Sequence, residues 1–391
     1  MSLTQIECAL KDIVNYSPNL NISSLKPYCN PYKNVLITGA NGFVGVHLVD
    51  EFLAKTSATV YAMIRCATLA EAEAKLQTAF KRYHFDQYLQ SDRIKVILGD
   101  IAKPKFDLDL ECSENLSKEI DMILHNGAYV HHLQTYERLS PTNIGSVKTI
   151  IELASTQKLK RIAFISSKYT TFTDYSDVAP EGIPTVSPPC SYLLSGYCLS
   201  KWAGEWLLWK AASKGVPVDI FRLGQITGHS EIGTANYEKN NMTLFIFGCL
   251  QMGVAPNATD NHDMTPVDYV AECVVGLMSK GYKHPNGWNI VNPIQLSYGD
   301  FFRIIAEIKT FLRVIPVTEW NEKLAHITED NVLYPLKEFH SGGHEMPFVT
   351  IEVKDTQDAL KNLGIYPPKP YIDLLKIYFK YWKSVGLGKS K

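Results

Sequence analysis

The chain has 391 residues, 46% of them hydrophobic and 20% charged, with 39 basic against 40 acidic side chains and a net charge of −1. That composition suits a globular protein long enough for two or three domains, and so balanced a charge gives no global pull toward nucleic acid or an anionic membrane. The eight cysteines, at 8, 29, 66, 112, 190, 198, 249 and 273, form no C-x-x-C pair and stand at no metal-ligand spacing with histidine, as expected of reduced thiols in a cytosol-like compartment. Residues 1–10 lack a basic start followed by an apolar core, and no apolar run approaches the ~18 residues of a spanning helix, so a soluble, cytoplasmic protein without a membrane span is expected.

Residues 1–32 carry Asn, Pro and Ser clusters and read as a lead-in or linker with at most one short helix. From 33 the pattern changes. KNVLIT (33–38) reads as a buried strand, and FVGVHLVDEFLA (43–54) as a helix with Val44, Leu48, Val49 and Phe52 on one face. Strands follow at 59–64, 94–98, 122–124, 161–165 and 219–223, with helices at 69–83, 143–155 and 197–213 between them. Short apolar strands alternating with helices predict a parallel sheet covered on both faces over 33–228. Beyond 228 the alternation weakens. A polar, Asn-rich stretch (233–263) encloses a short apolar core at 244–250, a helix is expected at 266–278, and the tail holds aromatic helices such as 371–382. Residues 229–391 are therefore expected to form a smaller, mainly helical substrate-binding region, with a strand near 288–291 available to the sheet.

The first strand runs into Thr38-Gly39-Ala40-Asn41-Gly42-Phe43-Val44-Gly45 and then into a helix. A glycine triplet alone is equally an ordinary turn. Between a strand and a helix it is the arrangement a dinucleotide pyrophosphate needs, because the backbone approaches closely and the helix N-terminus offers free N–H groups. Gly39, Asn41, Gly42, Phe43, Val44 and Gly45 are the candidates for that contact. The spacing is G-x-x-G-x-x-G, which resembles the extended short-chain dehydrogenase/reductase family and implies a Rossmann, doubly wound sheet. The second strand ends in Arg65, where NAD sites tend to carry an acidic residue for the ribose hydroxyls. A guanidinium suits a 2′-phosphate, and Lys75 on the next helix adds a second positive charge, so NADPH is favoured. The resemblance further implies adenine contacts at Asp100 and Ile101 and cofactor-side contacts at Gly127, Ala128 and Asn143. His125, His131 and His132 flank that turn with no cysteine nearby and are read as packing or surface residues, not as metal ligands.

Tyr197-Cys198-Leu199-Ser200-Lys201 is Y-x-x-x-K at the start of a helix, which puts phenol and ammonium on one face a turn apart. A neighbouring cation is expected to lower the phenol pKa by stabilising phenolate. Leu199, Trp202, Trp206 and Trp209 on the opposite face should anchor the helix. Thirty residues upstream, Ser167 ends the fifth strand in FISS. Its hydroxyl is placed to share a substrate oxygen with Tyr197, whereas Ser166 should point the other way. The catalytic set read from this is Ser167, Tyr197 and Lys201.

The segments at 125–155 (HNGAYVHHL…), 195–208 (SGYCLSKWAGEWLL) and 221–236 (FRLGQITGHSEIGTAN) resemble thioester reductase domains. Such domains end nonribosomal peptide and polyketide synthases and occur in carboxylic acid and aminoadipate reductases. The resemblance covers about residues 33–280 and implies hydride transfer from NADPH to an acyl thioester on a phosphopantetheine carrier, with release of an aldehyde or alcohol. It implies an acyl carrier protein or carrier domain as partner; no Asp-Ser-Leu carrier motif is found in the sequence, which reads either as a stand-alone enzyme or as a terminal domain of a synthase whose carrier acts in trans. Two departures bear on substrate preference. The loop after the fifth strand reads SSKYTT, and the family's asparagine after HNGA is replaced near His131 and His132. A fatty acyl-CoA reductase, an NAD-dependent nucleotide-sugar epimerase or dehydratase, and a redox-silent cofactor-binding or cyclising member of the fold are the alternatives.

Overall fold

A computed structural model of the chain describes residues 3–131, 133–184, 195–238, 240–284, 286–341 and 348–387. His132 and Cys190 lie outside them. Helix α1 spans Leu3–Asn15 and precedes strand β1, Asn34–Thr38. Next come α2 (Phe43–Lys55), β2 (Thr59–Ile64), α3 (Leu69–Arg82), β3 (Ile94–Leu98), α4 (Leu110–Glu119) and β4 (Met122–His125). They continue with α5 (Tyr136–Ala154), β5 (Arg161–Ser167), α6 (Gly196–Ala212), β6 (Val218–Leu223), α7 (Asn241–Met252), α8 (Val267–Ser279) and β7 (Asn286–Ile290).

The seven strands form one parallel sheet in the order β7-β6-β5-β4-β1-β2-β3. Its central strands are apolar almost throughout because helices cover both faces. One face packs α2, α3 and α8 through Val46, Val49, Phe52, Leu76, Val270 and Val274. The other packs α1, α5 and α6 through Ile13, Val147, Ile151, Leu199, Trp202 and Leu207. The expected doubly wound fold is present. Register aligns Thr38 with Met63 and His125, and Ser167 with Leu223, so the strands' carboxyl ends share one edge. Strand order reverses at β1 and β4, the place where such sheets bind ligands.

Several expectations change. The lead-in carries α1, which packs on α5 and α6, with Tyr136 donating its N–H to Gln5 (2.8 Å) and its hydroxyl to Asp12 (2.7 Å). Helix α5 starts at Tyr136 and not at 143, because Pro141 lies in its solvent-facing early turns and is accommodated there. The polar α4 has no apolar stripe to announce it; it is capped by Asp109, which accepts from Cys112 N at 2.7 Å.

The division at 228 is crossed twice. Helix α8 covers α2, and β7 extends the sheet beside β6. A separate core is formed by α7 with the helices Tyr298–Ile308, Val317–Ala325 and Tyr371–Ser384, around Phe245, Phe301, Trp320, Leu374 and Trp382. Among the described residues no helix is long and apolar enough to cross a membrane.

Candidate functional site

The glycine turn closes the end of β1. Gly39 has φ +67, and a Cβ there would lie 2.9 Å from Gly127 Cα. A Cβ on Gly45 would stand 2.1 Å from Gly39 O, so α2 approaches the strand end as only glycine permits. Gly42 caps α2 without a side-chain bond, which leaves the first-turn N–H groups uncapped by any side chain. The cradle fits a pyrophosphate. Ile101 closes on the same place, its Cδ1 standing 3.2 Å from where a Gly127 Cβ would be.

At the outer end, the Arg65 side chain is 76% exposed and lies 4.0 Å from the Asp100 carboxylate. Lys75 Nζ donates to Arg65 O at 3.1 Å. Two cations and one carboxylate therefore meet at the ends of β2 and β3. Asp100 also accepts Ala102 N at 2.9 Å.

A hydrogen-bond chain joins this turn to α6. Gly127 N donates to Thr38 Oγ1 at 2.9 Å, and Thr38 Oγ1 lies 2.9 Å from His125 Nδ1. His125 Nε2 lies 3.0 Å from Ser146 Oγ, which itself donates to Asn143 O at 3.2 Å. With that proton committed, His125 must donate from Nε2 and accept at Nδ1 from Thr38. Burial lowers the His125 pKa to about 3, aided by Lys201, so it stays neutral. Asn143 Nδ2 donates to Ser200 Oγ (2.9 Å), and Ser200 Oγ donates to Tyr197 O (2.7 Å). Asn143 also exchanges bonds with the Tyr129 backbone, N to Oδ1 at 2.8 Å and Nδ2 to O at 3.2 Å. Its amide is spent on bracing the loop after β4 against α6. Sequence reading placed Asn143 with the cofactor and saw neither this chain nor its anchors Thr38 and Ser146.

Lys201 is buried at the start of α6, donating to Ile165 O at 2.8 Å; its Nζ is 4.6 Å from the Phe164 ring centroid and 6.0 Å from that of Tyr197. Burial lowers its pKa to about 7, with Glu205 opposing the fall. Burial also pushes the Tyr197 phenol above its ordinary value. The expected lowering of that phenol is therefore absent here: desolvation sets the direction and the neighbouring Cys198 adds to it. Ser166 Oγ donates to Glu205 Oε1 at 2.5 Å, on the α6 side, and Ser167, the last residue of β5, is half-buried.

Beyond Ser167 the unusual loop is pinned. Lys168 is buried in an ion pair with Asp263, whose Oδ2 also accepts Gln225 N (2.9 Å) and Thr265 Oγ1 (2.6 Å). Burial alone would raise the Asp263 pKa, but Lys168 and Thr265 hold it below the usual carboxylate range. On the far face of α6, Trp202 and Trp206 line a cleft of about 280 Å³ with Thr170, Phe172 and Pro180. Trp202, Trp209 and Leu199 anchor the helix in the core, whereas Trp206 is only partly buried. Among the described residues no cluster of His, Cys, Asp or Glu is arranged to hold a metal ion.

Residues 37–274 match the model of an NAD-binding family described as male sterility protein. The chain belongs to that family. Over 322 residues this family member is 30% identical to a linear gramicidin synthase polypeptide of Brevibacillus parabrevis, covering 80% of the chain and 6% of that relative. It is also 30% identical over 320 residues to the large subunit of L-2-aminoadipate reductase from Eremothecium gossypii, covering 77% of the chain and 23% of that relative. The chain thus spans less than a quarter of either. Among solved structures, the terminal R domain from the myxalamid PKS-NRPS biosynthetic pathway superposes with a TM-score of 0.90 at 29% identity, covering 99% of both chains. The family member therefore has the fold of a synthase terminal reductase domain, and its class is that of a nicotinamide-dependent oxidoreductase.

Proposed function

We infer that the protein is an NADPH-dependent reductase of acyl thioesters, using Ser167, Tyr197 and Lys201. One observation carries this reading: Lys201, one turn after Tyr197 in α6, donates to Ile165 O two residues before Ser167, at the same sheet edge as the glycine cradle. Gly39, Asn41, Gly42, Phe43, Val44 and Gly45 would hold the pyrophosphate, Asp100 and Ile101 the adenine, Gly127 and Ala128 the middle of the cofactor, and Lys201 the nicotinamide ribose. Arg65 and Lys75 would take the 2′-phosphate, since a guanidinium there is of little use to an unphosphorylated ribose. Reduced nicotinamide supplies a hydride when bound.

The raised phenol pKa suits a proton donor. Tyr197 stays protonated at neutral pH until charge develops on the substrate oxygen, to which it then gives its proton. Ser167 Oγ donates a hydrogen bond to that oxygen, a contribution typically worth about 3 kcal/mol. The C–S bond of the resulting hemithioacetal then breaks, releasing an aldehyde and the carrier thiol. The acyl group would arrive on the phosphopantetheine arm of a carrier protein or carrier domain. This partner is favoured by the likeness to a peptide synthase polypeptide.

The test is cofactor consumption at 340 nm with acyl-CoA and acyl-carrier thioesters, with mass analysis of the products. NADPH oxidation coupled to aldehyde or alcohol is expected, and Tyr197→Phe should lower kcat by about 10²-fold or more. No turnover with any thioester, or turnover with NADH alone, overturns the reading.

A further inference from the structure

Lys201 is a buried ammonium in apolar surroundings. From β5 it meets the Ile165 carbonyl and the Phe164 ring, and from β4 the neutral His125. Helix α5 presents uncharged Asn143 and Ser146 to this region. Helix α6 itself supplies Tyr197 and, one turn beyond Lys201, Glu205; β6 supplies Arg222 behind Glu205. Glu205 is the carboxylate whose charge acts on Lys201.

Glu205 is 2% exposed, and its partners come from three elements. Arg222 donates to Oε2 from Nε (3.1 Å) and from Nη2 (2.9 Å). Ser166 Oγ donates to Oε1 at 2.5 Å. Thr170 Oγ1 lies 2.6 Å from Oε1 and 2.9 Å from Ser167 O, so its single proton serves one at a time. The hydroxyls satisfy carboxylate lone pairs that Arg222 leaves over, and they come from both sides of Ser167. Those two contacts tie the Ser167 peptide to the helix that carries Tyr197 and Lys201.

We propose that Glu205 is a positioning residue for the reaction: it locks the Ser167 loop to α6 and supplies the negative charge that sustains the Lys201 ammonium. The proposal rests on the catalytic assignment above. Glu205 touches neither substrate nor cofactor. Exchanging it for glutamine removes its charge and leaves Arg222 uncompensated, and both changes disfavour a cation at 201.

The experiment measures NADPH affinity from nicotinamide fluorescence between about pH 6 and 9, without any thioester, for the full-length wild type, Glu205→Gln and Glu205→Asp. The ratio of variant to wild-type dissociation constant for Glu205→Gln should rise about fivefold from pH 6 to pH 8, as a one-unit downward displacement of a Lys201 titration near 7 requires. Glu205→Asp, which keeps the charge, should restore most of the wild-type pH profile, its own ratio staying nearly constant across pH. A ratio constant across pH means a merely structural role and overturns the proposal. A double variant, Ser166→Ala with Thr170→Val, keeps the ion pair and removes the loop contacts. It should lower kcat about tenfold or more with thioester KM nearly unchanged and the pH profile of cofactor affinity intact; an unchanged kcat overturns the loop half. Wild-type inactivity toward every thioester would instead overturn the catalytic reading, while the affinity profile would still judge Glu205.

Discussion

Lys201 shows what the site costs the fold. Its pKa lies near 7 in the native protein against an ordinary 10.5, because burial removes solvent from the ammonium. Between those values the unfolded chain binds a proton that the native chain does not, so the lysine opposes folding, fully at pH 7 and below and not at all above the ordinary value. Lys201→Met should therefore abolish turnover yet raise the denaturant midpoint at pH 7, with the gain shrinking as pH rises toward 10. A lower midpoint at pH 7 would show that the Ile165 bond outweighs desolvation. Arg65 is the opposite case, an exposed charge whose loss should leave stability unaltered. Charge-assisted bonds to a phosphate are worth about 1.5–3 kcal/mol, so Arg65→Ala should raise the NADPH KM by about 10- to 100-fold and leave the NADH KM within about twofold. Equal effects on both cofactors would remove the 2′-phosphate from its role.

Two glycines separate what a helix needs from what the site needs. In α5, a Cβ at Gly145 meets nothing within 4 Å, and alanine is the better helix former by about 1 kcal/mol. In α2, the same change at Gly45 drives a methyl to 2.1 Å from Gly39 O. Gly145→Ala should raise the thermal midpoint, whereas Gly45→Ala should cost about 1–3 kcal/mol and weaken cofactor binding, both read by melting with and without NADPH. Similar melts for the two would mean that α2 can withdraw from the turn freely. Element by element, legibility followed burial. β1 and β4 were readable because both faces of each strand are covered, which forces unbroken apolar runs. α4 was not, since it buries only Leu116 and Ser117. The first two turns of α5 were hidden by Pro141. The glycine turn and Tyr197-x-x-x-Lys201 are local in sequence and stood out. The Asp263–Lys168 pair joins the loop after β5 to the end of a polar stretch far along the chain, where no spacing signals it. Glu205 did leave a trace, as the third member of an i, i+4, i+8 row with Tyr197 and Lys201.

At the scale of the molecule, alternation of strands and helices suggests a nucleotide-binding unit ending at 228 and a mainly helical region after it, with a strand near 288–291 available to the sheet. The two regions are knitted together. β7 pairs with β6 along its whole length, from Asn286 opposite Asp219 to Ile290 opposite Leu223. α8 buries Val270, Val274 and Leu277 in the core beneath α2. Glu181 accepts from Asp355 N (2.6 Å) and Thr356 N (2.9 Å), so the C-terminal region also fastens back onto the loop before α6. A fragment of residues 1–228 would expose an unpaired edge on β6 and an uncovered face on α2. Each large apolar side chain returned to water costs about 1.5–3 kcal/mol, so losing α8 alone rivals the roughly 5–15 kcal/mol by which a domain is stable. The fragment should be aggregated in sedimentation velocity and should melt without a cooperative transition. Rejoining residues 265–291 to it through a flexible linker should restore both the monomer and the transition, because that segment carries the missing helix and strand together. If 1–228 by itself sediments as a cooperative monomer, the sheet is complete without β7 and the C-terminal third is a detachable cap.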